Sequence, residues 1–305
     1  MKKAYLLDMD GVIYRENHLV PGAKALVDVF IREGIPFLFL TNNSVPTPED
    51  LLIKLKHLGI GNLSARHFYT SAMNTADFLA EVHPGCTAFI IGEAGLSSAL
   101  KEAGIANDTI SPTYVVVGEG TPSLERLNKA HELIERGARL VATNPDNWCP
   151  VAQGKTRPGA GATASYLEAS TGQRAYYLGK PNGYMFSRAT KLLKSRYRSP
   201  ELETIMIGDT MDTDIRGAVE TGLQSYLVLT GSTSIDELPG YVFQPTRVME
   251  SVADLLAELE TGVPSNRLDS PAYQQDTSGE ATTRDGDRHQ TDRQKFQRRK
   301  PAMTR

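Results

Sequence analysis

The sequence predicts an α/β protein whose core is a doubly wound parallel sheet. Short apolar runs without alternation, such as Phe37-Leu38-Phe39-Leu40 and Ile205-Met206-Ile207, suit strands buried on both faces. Such runs alternate with helical segments almost throughout, which implies parallel pairing through right-handed crossovers. Reactive polar residues follow several of the runs, as they do where an open parallel sheet gathers ligands beyond the carboxyl ends of its strands.

Taken in order, Ala4–Asp8 is predicted as a strand, and Pro21–Glu33 as a helix with proline at its start and Gly34 at its end. Ile35–Leu40 is a strand and Thr47–Leu58 a helix closed by Gly59. A helix over Ala72–Val82 leads to the strand Ala88–Ile91 and a helix over Leu96–Ala103. Tyr114–Val117 is a strand, Leu124–Arg136 a helix, Leu140–Ala142 a strand and Gly161–Ser170 a helix. Then come strand Ala175–Leu178, helix Tyr184–Leu193, strand Thr204–Ile207, helix Asp214–Glu220, strand Tyr226–Leu229 and a last helix, Ser251–Leu259. After Pro264 the chain is rich in Asp, Arg, Gln, Thr and Ser and cannot offset its ordering entropy by burial. Residues 263–305 are therefore expected to form a disordered tail, basic at its tip (Arg293, Lys295, Arg298, Arg299, Lys300, Arg305).

Composition narrows the function. The chain has 305 residues, 40% hydrophobic and 23% charged, with a net charge of −3, so no strong overall field draws it to nucleic acid or to a membrane surface. Cys86 and Cys149 stand far apart and in no metal-ligand spacing, which fits a reducing compartment. Met1-Lys2-Lys3 resembles the start of a signal peptide, but the apolar stretch behind it stops at Asp8. With no segment near the roughly 18 apolar residues of a membrane span, the expectation is a cytoplasmic protein.

The most informative segment is Asp8-Met9-Asp10-Gly11, just after the first apolar run. Residues i and i+2 of a strand point the same way, so both carboxylates reach one small volume. Two anions placed together need a bound cation or different protonation states. Three further strand ends add Thr41-Asn42-Asn43, Gly179-Lys180-Pro181, and Gly208-Asp209 with Asp212 and Asp214. Alone, these are most often a helix-entry turn, a surface lysine and a capped βα turn. Together they supply hard oxygen ligands suited to Mg²⁺ (Asp8, Asp10, Asp209) and donors for a dianionic oxyanion (Thr41, Lys180), a set that fits phosphate better than a carboxylic acid. Phosphate-monoester hydrolysis is so slow unaided that enzymes accelerate it by up to about 10²¹-fold, so such a site needs a nucleophile, positioning and charge neutralisation at once.

The ordered set Asp8-Met9-Asp10-Gly11-Val12-Ile13, Thr41-Asn42-Asn43, Gly179-Lys180-Pro181 and Gly208-Asp209…Asp214 resembles the haloacid dehalogenase-like (HAD) phosphohydrolases, and within them the NagD-type, class IIA branch of nucleotide and nitrophenyl phosphatases. Tyr69-Thr70-Ser71-Ala72-Met73 and Thr143-Asn144-Pro145-Asp146 also match, and the resemblance runs over about residues 4–260. It implies a Rossmann-like core over 1–78 and 177–262, with an inserted α/β cap of the C2, type IIA kind over 79–176 that covers the site and selects the substrate. It implies Asp8 as nucleophile, forming an aspartyl-phosphate, and Asp10 as the acid and then base for the leaving oxygen and the water. Mg²⁺ would be held by the Asp8 carboxylate, the Asp10 carbonyl and Asp209. Phosphoryl oxygens would be held by Thr41 and Lys180, with Asn42, Asn43 and the amides near Gly11 assisting. Asp214 would orient the metal shell or Lys180, and Asn144 and Asp146 would touch the leaving group from the cap. Asp212 receives no role.

The expected partner is a small phosphate ester: nucleoside monophosphates first, p-nitrophenyl phosphate as an artificial substrate, sugar phosphates and 2-phosphoglycolate as rivals. Pairing of chain copies through the cap stays open. A non-catalytic phosphometabolite-binding protein on this scaffold would not need both Asp8 and Asp10, and a dehalogenase would not need the second acid; a mutase would need a cap that shields the intermediate from water. Other motifs fall short. Gly154-Lys155-Thr156 lacks the first glycine of a P-loop, Gly159–Ala164 fits G-x-G-x-x-A with no strand expected immediately before it, and the calcium-loop hint at Asp212 fails at Leu223.

Overall fold

The computed structural model describes residues 2–151, 155–263 and 266. Two parallel sheets organise it. The larger has six strands in the order Arg247–Met249, Gln224–Val228, Glu203–Gly208, Lys3–Leu7, Phe37–Thr41, Phe68–Thr70. All its pairings are parallel; Leu7 stands opposite Ile207 on one side and Phe39 on the other.

Period-two patterning explains how the unalternated runs are used. Tyr5, Leu7, Phe37, Phe39, Ile205 and Ile207 face one layer, packed on the helices Ala23–Arg32, Pro48–His57 and Val252–Thr261. Ala4, Leu6, Leu38, Leu40 and Met206 face the other, under the helix Gly183–Arg196. Tyr5 stacks on Phe30 at 5.0 Å, and Phe39 on Phe68 at 5.2 Å, so aromatic rings fill the first layer.

The second sheet has five parallel strands, in the order Tyr176–Tyr177, Arg139–Ala142, Tyr114–Val117, Thr87–Ile91, Ala106–Asn107. Ala88, Ile90, Val116 and Val141 pack on the helices Ser71–Val82 and Ala94–Glu102. Phe89, Ile91, Val115 and Val117 pack on Leu124–Glu135 and Ala160–Thr171. The carboxyl ends of the two sheets face each other. Glu119 N, just past Val117, donates to Ser44 Oγ at 2.9 Å, and Asn144 Nδ2, just past Ala142, donates to the Asn42 carbonyl at 2.7 Å. Gly95 N donates to Val45 O at 2.9 Å. The strand ends of the two sheets therefore meet at one junction.

The expected strands and helices are present, with three instructive differences. Asp214 is not in the first turn of an α-helix: Met211–Ile215 forms a π-helical turn, and the α-helix begins at Arg216. The Thr210 carbonyl accepts from both Asp214 N and Ile215 N, and Asp214 Oδ2 accepts Thr210 N, which pulls the side chain inward. A strand, Lys155–Pro158, does immediately precede Gly159, contrary to expectation, but it belongs to an antiparallel pair with Trp148–Val151 and not to a parallel βαβ unit. Its glycines serve packing: a Cβ at Gly159 would lie 2.1 Å from Asp146 O, and one at Gly161 2.3 Å from Pro145 O. Very short strands, Tyr14–Arg15 with His18–Leu19, are too brief for a periodicity to register. Nearly all of the tail lies outside the described residues; Asn266 accepts the Val248 amide at 3.1 Å. No helix among the described residues is long and apolar enough to cross a membrane.

Candidate active site

The site grows from strand termini of the six-stranded sheet. Asp8 follows Lys3–Leu7 and is fixed through its amide, which donates to Ile207 O at 2.9 Å. Asp209 follows Glu203–Gly208, and the π-helical turn places Asp214 beneath it. Lys180 arrives from the other direction, between Tyr176–Tyr177 of the second sheet and the helix Gly183–Arg196, which Asn182 caps.

These residues meet around one ammonium. Lys180 Nζ donates to Asp8 Oδ1 and Asp214 Oδ1, each at 2.6 Å, and to the Leu40 carbonyl at 3.1 Å. Its side chain is 2% exposed, so the three acceptors replace its hydration. Burial alone would lower the lysine pKa, but the Asp214 and Asp8 carboxylates outweigh it and raise it, so the group is a cation throughout the physiological range.

Oxygens of Asp8, Asp209 and Asp214 lie within 4.8 Å of one another. Three hard oxygen donors at that spacing fit a small divalent cation. Asp214 has one oxygen committed to Lys180, which leaves Asp8 and Asp209 as the more open pair. Burial pushes the Asp209 carboxyl up to about 6, helped by the Asp8 charge and opposed by the Ser232 amide, which donates to its Oδ2 at 2.6 Å. Gly231 and Gly11 leave room for that carboxylate: a Cβ on Gly231 would sit 2.0 Å from Asp209 Oδ2, and one on Gly11, at φ +80°, 2.6 Å from it.

The Asp10 side chain lies outside this group and turns toward Tyr14. Burial raises its carboxyl to about 6; Lys54 pulls it down, Asp8 adds to the rise, and the neighbouring Tyr14 hydroxyl lowers it. Thr41 is buried at the end of Phe37–Thr41, its hydroxyl accepting the Asn43 amide at 3.1 Å. Gly11, expected to lend an amide to phosphate, instead donates it to Tyr14 O at 2.8 Å; its part is the tight turn. The Asn43 carboxamide is likewise used locally, accepting Val45 N at 3.0 Å.

Asn42 links the two halves. Its Oδ1 accepts Lys180 N at 2.7 Å, and its Nδ2 donates to Asp146 Oδ2 at 3.0 Å and to Lys180 O at 3.1 Å. Asn144, expected at the leaving group, is fully buried and spends its amide on Asn42 O and on Glu119 Oε1 (3.3 Å). It builds the junction, while Asp146 stays half-buried, its carboxyl raised to about 6 by burial. Asp212 is exposed and accepts from the Tyr241 hydroxyl at 3.4 Å.

Sequence reasoning missed Glu119, whose Oε2 accepts from Arg157 Nη2 at 2.9 Å and from Cys149 Sγ at 3.1 Å. It also missed Tyr14, Lys54 and the Gly231-Ser232 turn. The signal for two of these was present: Gly118-Glu119 and Thr230-Gly231-Ser232 follow strands just as Thr41-Asn42 does. A cavity of about 810 Å³, lined by Tyr114, Arg139, Arg174 and Tyr176, lies at the amino ends of the second sheet and shares no residue with the carboxylate cluster. Chemistry, not cavity size, identifies the site.

A parallel-sheet fold with a paired aspartate loop, a buried lysine and a distal aspartate pair defines a phosphoryl-transferring hydrolase. The haloacid dehalogenase-like hydrolase family matches residues 5–106, and the HAD-hydrolase-like family matches residues 177–255. The chain is 40% identical over 253 residues to a dihydroxyacetone phosphatase of Corynebacterium glutamicum, covering 83% of this chain and 90% of that one. It is 35% identical over 261 residues to an acid sugar phosphatase of Staphylococcus aureus, covering 85% and 98%. NagD from Escherichia coli K-12 superposes with a TM-score of 0.75 at 33% identity, covering 83% of this chain and 97% of NagD. The chain belongs to the haloacid dehalogenase-like hydrolases, in their NagD-type branch, and is a phosphatase.

Proposed function

We propose that this phosphatase hydrolyses small phosphate monoesters with Mg²⁺ through an aspartyl-phosphate on Asp8. The supporting observation is the Lys180 ammonium held 2.6 Å from both Asp8 and Asp214, beside Asp209. Asp8, Asp209 and the Asp10 carbonyl would hold the ion, with Asp214 behind them orienting Lys180; the ion would supply charge neutralisation to the phosphoryl oxygens. Asp8 attacks phosphorus in line while Lys180 and Thr41 hold phosphoryl oxygens. Asp10, raised by burial to about 6, holds a proton further up the pH range than an ordinary carboxyl and gives it to the leaving oxygen, then takes one from the hydrolytic water.

The unit formed around the second sheet, about residues 79–176, is the cap in this reading. It presents the half-buried Asp146 and Arg157, polar groups suited to the hydroxyls of triose and sugar phosphates, the compounds for which two of the relatives are named. Nucleoside monophosphates are the second reading, favoured by Trp148, which is 61% exposed two residues from Asp146 and could stack on a base. Two free cysteines accord with a cytoplasmic setting.

A panel of triose, sugar and nucleoside phosphates, 2-phosphoglycolate and p-nitrophenyl phosphate, assayed for phosphate release with and without Mg²⁺, tests this. Turnover that requires the metal and is lost in Asp8→Asn is the expected result. Phosphate release that does not need the metal, or that persists in Asp8→Asn, would overturn the reading.

A further inference from the structure

One buried acid pins the cap hairpin formed by Trp148–Val151 and Lys155–Pro158. Cys149 and Arg157 stand directly opposite each other in its two strands, and both reach the same oxygen. Glu119 Oε2 accepts from Arg157 Nη2 at 2.9 Å and from Cys149 Sγ at 3.1 Å. Glu119 Oε1 accepts from Asn144 Nδ2 at 3.3 Å, and the Glu119 amide donates to Ser44 Oγ of the first unit at 2.9 Å. The Glu119 side chain is 4% exposed and that of Arg157 30%. A carboxylate that deep needs its oxygens satisfied, and here the donors come from both strands of the hairpin and from the junction. Arg157 gives one of its N–H donors to Glu119 and makes no other hydrogen bond among the described residues. Asp146 is folded against the base of the same hairpin: its carbonyl accepts Gly161 N at 3.0 Å, and Asn147 O accepts Gly159 N at 3.0 Å. Asn42 holds Asp146 Oδ2, while Asp146 Oδ1 has no partner among the described residues.

We propose that Glu119 is a positioning residue for substrate selection: it holds Arg157 at the Asp146 side of the site, so that a guanidinium donor and a carboxylate acceptor together take neighbouring oxygens of the leaving group. This rests on the reading of the protein as a phosphatase of small monoesters and narrows its substrate class. The leaving groups it selects carry hydroxyl or carbonyl oxygens on adjacent carbons, as trioses, glycerol and sugars do, over alkyl groups of the same length. An arginine on a two-stranded hairpin has many rotamers, and an ion pair to a buried carboxylate removes most of them before substrate binds. Glu119 itself is spent on its donors and touches no substrate; it acts through Arg157.

The test compares glycerol 3-phosphate with propyl phosphate, which keeps the carbon chain and lacks the hydroxyls. In Arg157→Met, kcat/KM for glycerol 3-phosphate relative to propyl phosphate should fall by about tenfold or more, the worth of a hydrogen bond to a charged group. The loss should appear in KM rather than kcat, because the bond is made in the ground state and the transition state alike. Glu119→Leu should lower the same ratio by about tenfold, and Glu119→Gln, which keeps an acceptor but no charge, by about threefold. The double variant Glu119→Leu with Arg157→Met should go no lower than Arg157→Met alone, since the two residues act as a unit. If Glu119→Leu does not fold, Glu119→Gln and its double variant with Arg157→Met carry the same comparison. A merely structural acid would lower both esters by the same factor, and that result would overturn the proposal. So would a ratio that Arg157→Met shifts and the Glu119 variants do not, because Arg157 would then read the oxygens without Glu119. If Arg157→Met leaves the ratio at the parent value, no oxygen is read there and the proposal falls, while phosphate release that needs Mg²⁺ and Asp8 keeps the phosphatase reading.

Discussion

Lys180 and Asp8 form an ion pair at 2.6 Å, and the lysine is the more deeply buried partner, 2% exposed against 13%. The cation is therefore part of the scaffold before any phosphate arrives, set between the nucleophile and Asp214. A phosphoryl group entering beside Asp8 meets a donor that needs no further ordering.

Lys180→Met should therefore damage stability as well as rate. It leaves two buried carboxylates facing each other without a cation, and breaking one side of a buried pair costs about 3–5 kcal/mol. Turnover of p-nitrophenyl phosphate should fall at least about 100-fold. Thermal unfolding of the variant should recover partly on adding Mg²⁺, which supplies the missing positive charge; a variant as stable as the parent would show that the pair does not hold this end of the sheet together.

Gly231→Ala tests the metal site without touching a ligand. The new methyl would lie 2.0 Å from Asp209 Oδ2, in the turn whose Ser232 amide already holds that oxygen. Loss of such outer support typically costs about 10–100-fold in metal affinity. Titrating activity with Mg²⁺ should show a half-saturating concentration raised by that factor, with p-nitrophenyl phosphate turnover largely recovered at excess metal. An unchanged titration would remove Asp209 from the metal set.

Metal-free protein should lose stability as pH rises through the range between about 4 and 6. Asp10, Asp146 and Asp209 are each raised by burial to about 6 in the folded state, from an ordinary value of 3.8. In that window the native state binds more protons than the unfolded chain, so stability is present below the window and lost across it, on the order of 3 kcal/mol per group. Mg²⁺ offsets the clustered charge once the carboxylates ionise. The rise in melting temperature on adding Mg²⁺, measured by scanning fluorimetry, should be larger at pH 7 than at pH 5; an equal rise at both would show that these acids do not titrate as a metal-linked group.

How much of this was legible in the sequence depended on whether a residue's role is local or relational. Asp8, Lys180, Asp209 and Asp214 were readable because each follows an apolar run whose direction and period place it at a strand end. Short range also explains the turn at Gly11, which its positive φ requires. Tyr14 was not readable: it sits beyond the turn in a two-residue strand, and its partner Lys54 is a helix residue that a reader of charge patterns leaves in solvent. Glu119 was missed and Asn144 assigned to the leaving group for the opposite reason. Both lie at strand ends, as a ligand-facing residue would, but they are spent on joining two sheets whose relative placement no local pattern encodes. The π-helical turn at Met211–Ile215 has the composition of a capped α-helix, and only the burial of Asp214 reveals the difference.

The most direct test of the central claim is where the phosphoryl group goes. Enzyme mixed with Mg²⁺ and p-nitrophenyl phosphate, quenched in acid within a turnover and digested, should carry phosphate on the peptide containing Asp8, and Asp8→Asn should carry none. Rapid release of phosphate with that peptide unmodified at every quench time, or the phosphate found on another residue, would contradict it.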